Sequence, residues 1–300
     1  TFKNLTKLHP NYAYGFNNFG VTTQAQGNLN EAIEAYNKAL SLDPNYADAY
    51  NNIGLALQSQ AKLDEAIEAY RRTISLKPDY AEAYSNMGVA LKNQGKFDEA
   101  IEVINKSILL KPHDAEAYSN LGVALKDQGK LDEAIEAHKK SILLKPSRAE
   151  VYNNLGNTLK EQGRLDQALE TYNKAISLKP DYAEGYSNMG VALRKQGKFD
   201  EAIETFKKSI SLEPDNADTY NKIGGAFYKK EILELSIVSF KKSILLNPHC
   251  AETYNNLGVS LKDQGKFEEA IIAYNKAIFL NPNYANAHNN IGVLLQDLGK

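Results

Sequence analysis

The sequence predicts an all-α solenoid, a stack of repeats that each fold as a helix–turn–helix hairpin. Prolines recur at one fixed step, glycines keep that same step, and apolar residues between them follow helical spacing. The nine prolines lie 34 residues apart, at Pro10, Pro44, Pro78, Pro112, Pro146, Pro180, Pro214, Pro248 and Pro282. The glycines in step with them are Gly20, Gly54, Gly88, Gly122, Gly156, Gly190, Gly224, Gly258 and Gly292. A single globular core would not hold two such series in register.

Repeat 81–114 shows how each hairpin is encoded. Apolar residues at helical spacing mark its first helix, at Tyr84, Met87, Gly88 and Leu91. Gly95 interrupts the pattern, and a second stripe runs from Phe97 to Ile108. Pro112 prevents the second helix from continuing, because proline lacks a backbone donor and clashes with the preceding turn. The pattern therefore predicts two helices per repeat.

The starts of the first helices resemble capping boxes. Asp79 with Glu82, and Ser147 with Glu150, have the spacing at which a capping side chain and a glutamate satisfy each other's backbone donors. Capping accounts for the recurring glutamates, although an acidic rim along the array is an alternative interpretation.

We expect residues 1–300 to form a single array. Residues 1–12 match the end of a preceding repeat, residues 13–284 make eight full repeats, and residues 285–300 make half of another. A chain that begins and ends inside repeats suggests a longer parent. Ile291, Leu294 and Leu295 lack a second helix to cover them, so we expect end-to-end or homo-oligomeric stacking there.

Composition narrows the classes of function. The chain has 35 basic and 37 acidic residues and a net charge of −2, which disfavours nucleic acid and anionic membranes as partners. Cys250 is the only cysteine, so no intrachain disulfide can form, as is usual for a cytoplasmic protein. No run approaches the ~18 apolar residues of a membrane span.

The sequence shows no candidate catalytic, cofactor or metal site. The five histidines have no metal-ligand spacing, at His9, His113, His138, His249 and His288. Gly224 and Gly225 do not form a phosphate loop, because no strand precedes them and no Lys-Ser or Lys-Thr follows. We therefore predict a protein that is not an enzyme and binds no cofactor.

Several of these recurring residues together resemble the tetratricopeptide (TPR) repeat family. In repeat 115–148 they are Tyr118, Leu121, Gly122, Gly129, Ala134 and Pro146. The resemblance covers essentially the whole chain and implies a right-handed superhelix. In that family the first helices line a concave groove and the second helices form the outer surface.

An asparagine two residues before each recurring glycine adds a finer resemblance, to the repeat arm of O-linked N-acetylglucosamine transferases and their bacterial relatives. In that family an asparagine ladder holds the backbone of an extended peptide. Here it comprises Asn18, Asn52, Asn86, Asn120, Asn154, Asn188, Asn256 and Asn290, with Lys222 as the sole interruption. An apolar floor is predicted beside it, at Val89, Val123 and Val191.

These residues predict a scaffold that binds extended protein segments, because a carboxamide offers both a donor and an acceptor to a peptide backbone. The alternative is a substrate-recruiting arm of a longer glycosyltransferase-type enzyme. A structural origin also stays open, since each asparagine could bond a neighbouring helix. Repeat 217–250 departs from the pattern at Lys222, Glu231 and Ser236. With Lys229 and Lys230 this makes a small cationic spot, which is either a specialised contact or a decaying repeat.

Overall fold

The structure is a computed structural model that describes residues 11–299. Thr1 to Pro10, which include His9, and Lys300 lie outside the described residues. Within that range the chain forms seventeen α-helices and no strand, which confirms the predicted all-α fold. The chain divides into two compact units, residues 1–147 and 148–300, and each is described by itself.

The described part of the first unit forms eight helices, which follow the predicted repeats in pairs. They are α1 (Ala13–Ala25), α2 (Leu29–Leu42), α3 (Ala47–Ser59), α4 (Leu63–Leu76), α5 (Ala81–Asn93), α6 (Phe97–Leu110), α7 (Ala115–Asp127) and α8 (Leu131–Leu144).

The second unit contains four helix pairs and a further first helix. They are α9 (Ala149–Glu161), α10 (Leu165–Leu178), α11 (Ala183–Lys195), α12 (Phe199–Leu212), α13 (Ala217–Lys229), α14 (Leu233–Leu246), α15 (Ala251–Asp263), α16 (Phe267–Leu280) and α17 (Ala285–Asp297).

The first helices of each unit pack more closely together than the second helices. Inside each unit every helix contacts the next along the chain, and each first helix also contacts the first helix of the following repeat. No two second helices are in contact in the described part of either unit. We call the surface formed by successive first helices of one unit its inner face.

The turn within each repeat requires a left-handed residue. Gly95 has φ +78°, which glycine adopts without steric cost, and the second glycines of most other repeats do the same. Where that glycine is absent, Ala61 and Glu231 take φ +59° and +60°. The turn geometry is thus kept even in repeat 217–250, at the cost of strain at Glu231.

The predicted capping boxes are wrong. The N-cap of α5 is Tyr80 and that of α9 is Arg148, and neither makes a side-chain capping bond. A turn in which the Tyr80 N–H donates to Lys77 O places the tyrosine at the cap and Asp79 before it. Among the described first helices, side-chain caps occur only at Asp114 of α7 and Asn216 of α13.

A ring of the second helix packs against a glycine of the first helix in most repeats. A Cβ added at Gly156 would lie 2.6 Å from the Tyr172 ring, and one at Gly224 would lie 2.8 Å from the Phe240 ring. Tyr172 and Phe240 are almost fully buried. The recurring glycine is therefore explained by close helix approach.

One residue expected to be exposed at the end of the array is buried. Leu294 is only 1% exposed, because it packs into a core cluster with Leu261 and Tyr274 of the preceding repeat. Ile291 is partly buried against the same cluster. Stacking between copies stays a prediction, and it now rests on less apolar surface.

Candidate functional site on the inner faces

The ladder asparagines form a regular series of hydrogen bonds between repeats. In six of the eight ladder asparagines the Nδ2 donates to the residue 35 positions earlier, at 2.9–3.3 Å. The donor–acceptor pairs are Asn52–Asn17, Asn86–Asn51, Asn120–Ser85, Asn188–Asn153, Asn256–Asn221 and Asn290–Asn255. The structural role left open by the sequence is therefore present.

The acceptors explain why a donor recurs at the ladder position. Asn51 is 6% exposed and Asn153 is fully buried. A buried Oδ1 without a donor lowers the stability of the fold. Lys222 interrupts the ladder but keeps this bond, since its Nζ donates to Ser187 Oγ at 3.1 Å. The bond between repeats thus requires a donor and not asparagine in particular.

The acceptor side of each carboxamide stays open. Within residues 11–299 no group donates to the Oδ1 atoms of Asn52, Asn86, Asn120, Asn188 or Asn256. These side chains are half-buried, as are Asn154 and the predicted floor residues Val89, Val123 and Val191. Each of the five amides therefore retains one oxygen for a further partner.

The inner face of the first unit contains an acidic cavity of about 570 Å³ beside Asn86. One cation, Lys77, faces four carboxylates in its lining, those of Asp79, Glu82, Asp114 and Glu116. Lys111 donates to Glu82 at 2.9 Å and lowers the pKa of that carboxyl. This cavity has an excess of negative charge.

The inner face of the second unit contains a basic cavity of about 430 Å³ beside Asn256. Three cations line it, those of Arg194, Lys195 and Lys229, with Glu252 as the one carboxylate of the lining. Lys230, which the sequence groups with Lys222 and Lys229, is paired with Asp200 and does not line the cavity. The cationic spot predicted for repeat 217–250 is therefore only partly formed by the residues named for it.

A second series of bonds between repeats was not predicted from the sequence. In five repeats the glutamine that ends the first helix donates to the second residue of the preceding second helix at 2.6–3.0 Å. The pairs are Gln60–Asn30, Gln94–Asp64, Gln128–Asp98, Gln196–Asp166 and Gln264–Glu234. Both partners recur in the sequence at the 34-residue step, so the signal was available.

Among residues 11–299 no three His, Cys, Asp or Glu side chains are grouped so as to hold a metal ion. No helix there combines the length and apolar character that a bilayer span needs. His138 is fully buried against Gly122, and burial together with Lys126 lowers its pKa to about 4.

Solved structures share the fold of this chain. One is the crystal structure of the APC/C hetero-tetramer Cut9–Hcn1, with 19% identity and a TM-score of 0.70 over 89% of this chain and 52% of that one. This chain thus spans about half of that protein. Another is PilF of Pseudomonas aeruginosa, with 20% identity and a TM-score of 0.61 over 70% of this chain and 95% of that one. At these identities the likeness shows the fold alone.

Sequence comparison identifies the family. No curated protein matches the chain with significant similarity. Seven segments match the TPR repeat, at residues 24–60, 59–95, 90–129, 124–163, 156–197, 190–231 and 260–299. TPR repeats in general mediate protein–protein interactions and are typically non-catalytic. Because the matched segments cover most of the sequence, this chain belongs to the TPR repeat family.

Proposed function

We propose that the chain is a scaffold that binds extended protein segments along its inner faces through the asparagine ladder. The observation that carries the proposal is the open Oδ1 of each half-buried ladder asparagine. One amide proton serves the bond between repeats, and the oxygen is left for a ligand. The second proton is also left, except in Asn188, whose Nδ2 donates to Glu184 as well. An extended peptide presents N–H and C=O groups that match this pair.

The surroundings of the ladder favour recognition of the main chain over side chains. Val89, Val123 and Val191 lie one helical turn beyond the asparagines and are half-buried. Such a floor is apolar and shallow, and it does not select for one side chain. In the first unit, Asn86 shares its cavity with Leu55, so amide and apolar groups are available together.

The test separates the ligand role from the bond between repeats. Peptides of about twelve residues, ~40 Å when extended, are selected from a randomised library on the wild-type chain. The affinity of a selected uncharged peptide is then measured by fluorescence anisotropy for two double variants. Asn86→Lys with Asn120→Lys keeps the donor, as Lys222 does, but removes both acceptors. Asn86→Ala with Asn120→Ala removes both functions.

We expect both double variants to bind the peptide at least about tenfold more weakly, since two hydrogen bonds to the ligand are lost. Only the alanine variant should also melt at a lower temperature. Failure of the library to yield any peptide would overturn the proposal. So would lysine variants whose affinity equals that of the wild type.

A second candidate is that the same inner faces recruit substrates for a longer glycosyltransferase-type enzyme. The asparagine at the sixth position of nearly every first helix favours it, through the resemblance to O-linked N-acetylglucosamine transferases. Reading the gene beyond Lys300 tests it: a transferase domain in the same reading frame would support recruitment, and further repeats followed by a stop codon would exclude it.

A further inference from the structure

Repeat 217–250 lacks a side chain that the neighbouring repeats carry on the inner face. Gly225 occupies the position that is valine in Val89, Val123, Val191 and Val259. The guanidinium of Arg194, from the preceding first helix α11, fills the space left free. A Cβ added at Gly225 would lie 2.6 Å from Arg194 Nη1, so a regular valine and this position of the arginine exclude each other.

Arg194 is held beside the basic cavity without a partner of its own. It forms no hydrogen bond or ion pair with any residue in the described range. Asp218 and Glu252 act on it only at longer range. Asp218 is already paired with Lys222 at 2.5 Å, and Tyr228 donates to Asp263 at 2.7 Å. The guanidinium donors are therefore available to a ligand.

The cavity has the charge for binding a carboxylate. Lys195 and Lys229 add two further cations to Arg194, against Glu252 alone. A guanidinium presents paired N–H donors that match the two oxygens of a carboxylate. Burial lowers the pKa of the Arg194 guanidinium, because the charged group is partly removed from water and has no close counterion. Asn256 and Val259 line the same cavity, so ladder and floor are present beside it.

We propose that the cavity around Arg194 binds the carboxylate of an aspartate or glutamate side chain in a protein segment lying on the inner face of the second unit. This inference rests on the proposed function, because the ladder asparagine in the cavity would hold the main chain of the same segment. Repeat 217–250 is then a specialised contact, and the absence of a side chain at Gly225 is what creates it.

Two matched peptides test the proposal on the full 300-residue chain. Both have about twelve residues and the same uncharged sequence except at a few positions. Those positions are glutamate in one peptide and glutamine in the other. We expect the wild type to bind the glutamate peptide about tenfold more tightly. Arg194→Gln should abolish this preference while leaving the affinity for the glutamine peptide unchanged.

Further variants separate a built site from general positive charge. Lys92 of repeat 81–114 is the equivalent of Arg194, and the next first helix there carries Val123 where α13 has Gly225. Lys92→Gln should therefore leave the preference for the glutamate peptide intact. Gly225→Val should abolish it by displacing the guanidinium. Glu252→Gln removes the one opposing charge and should strengthen binding of the glutamate peptide about threefold.

The outcomes distinguish this inference from the proposed function. If neither peptide binds the wild type, the proposed function itself fails. If both bind equally well, or if Lys92→Gln lowers the preference as much as Arg194→Gln does, the inference is overturned and main-chain recognition stands. Retained helicity and melting temperature in Arg194→Gln and Gly225→Val exclude unfolding as the cause of a loss.

Discussion

In repeat 81–114 of the first unit, Asn86 bonds Asn51 and lies in a cavity with four carboxylates and one cation. In repeat 217–250 of the second unit, Lys222 makes the equivalent bond to Ser187, and the adjoining cavity has three cations and one carboxylate. The bond between repeats is the same, but the charge of the surface is opposite. The comparison teaches that separate positions of the repeat encode stacking and surface chemistry.

Single substitutions test whether the two sets of positions are separate. Positions that encode stacking should be sensitive to substitution, and positions that encode surface charge should not affect stability. The four predictions that follow begin with the largest expected change in the free energy of unfolding.

The largest effect is expected at the ring position of the second helices, which differs between repeats. It is His138 in repeat 115–148 of the first unit and Tyr172 in repeat 149–182 of the second, and both are fully buried. The folded state lowers the pKa of His138 from 6.5 to about 4 because burial disfavours the charged imidazole. Between pH 6.5 and 4 the His138 imidazole is protonated in the unfolded chain but neutral in the folded chain. The stability that comes from the neutral imidazole is therefore complete above pH 6.5 and is lost as the pH falls to 4. The loss is about 3 kcal/mol.

The measurement is urea unfolding from pH 7 to pH 4 for the wild type and His138→Phe. Phenylalanine already holds this position at Phe206 and Phe240. As the pH falls, the free energy of unfolding of the wild type should decrease relative to that of His138→Phe, because only the wild type carries the titrating imidazole. A constant difference across that range would show that His138 is not kept neutral by the fold.

Two adjacent glycines of α13 give the next largest contrast. A Cβ at Gly224 would press on the buried Phe240 ring at 2.8 Å, whereas one at Gly225 would meet only the tip of Arg194. Gly224→Val should therefore lower the free energy of unfolding by about 2 kcal/mol. Gly225→Val, the matched control in the same helix, should leave it unchanged or raise it slightly. Equal melting temperatures for the two variants would contradict the division between stacking and surface positions.

A smaller effect is expected from the ladder. Asn86→Ala leaves Asn51 Oδ1, in a residue only 6% exposed, without its donor and should cost about 1 kcal/mol. Asn86→Lys should restore most of this loss, because Lys222 makes the same bond in the second unit. Thermal unfolding followed by circular dichroism compares the two. If the lysine variant melts below the alanine variant, Lys222 is a poor guide to what the position requires.

The sequence was sufficient for the helices and insufficient for the contacts between repeats and for the surface chemistry. Proline, glycine and the apolar stripes located every described helix, because each acts locally on the backbone. The partner of Asn86 could not be read in the same way, since it lies 35 residues earlier and depends on how two helices pack. The guanidinium of Arg194 occupies space that is free because Gly225 has no side chain. Local sequence patterns contain no signal for such a space. The capping box of α5 failed because the turn before that helix places Asp79 one residue ahead of the cap.

The smallest effect concerns the second series of bonds between repeats, where the two regions again differ. Gln94 donates to Asp64 at 2.8 Å, but its Oε1 is buried without a partner, whereas Lys230 pairs with Asp200 at the equivalent position. Gln94→Lys should therefore remove an unsatisfied acceptor, add an ion pair and raise stability by less than about 1 kcal/mol. The gain should shrink in high salt, because an exposed pair is screened. Gln94→Met, which removes donor and acceptor together, is the control and should be the less stable variant in urea unfolding at low salt. A lysine variant no more stable than the methionine variant would show that the ion pair contributes nothing, and that the glutamine is kept for its shape.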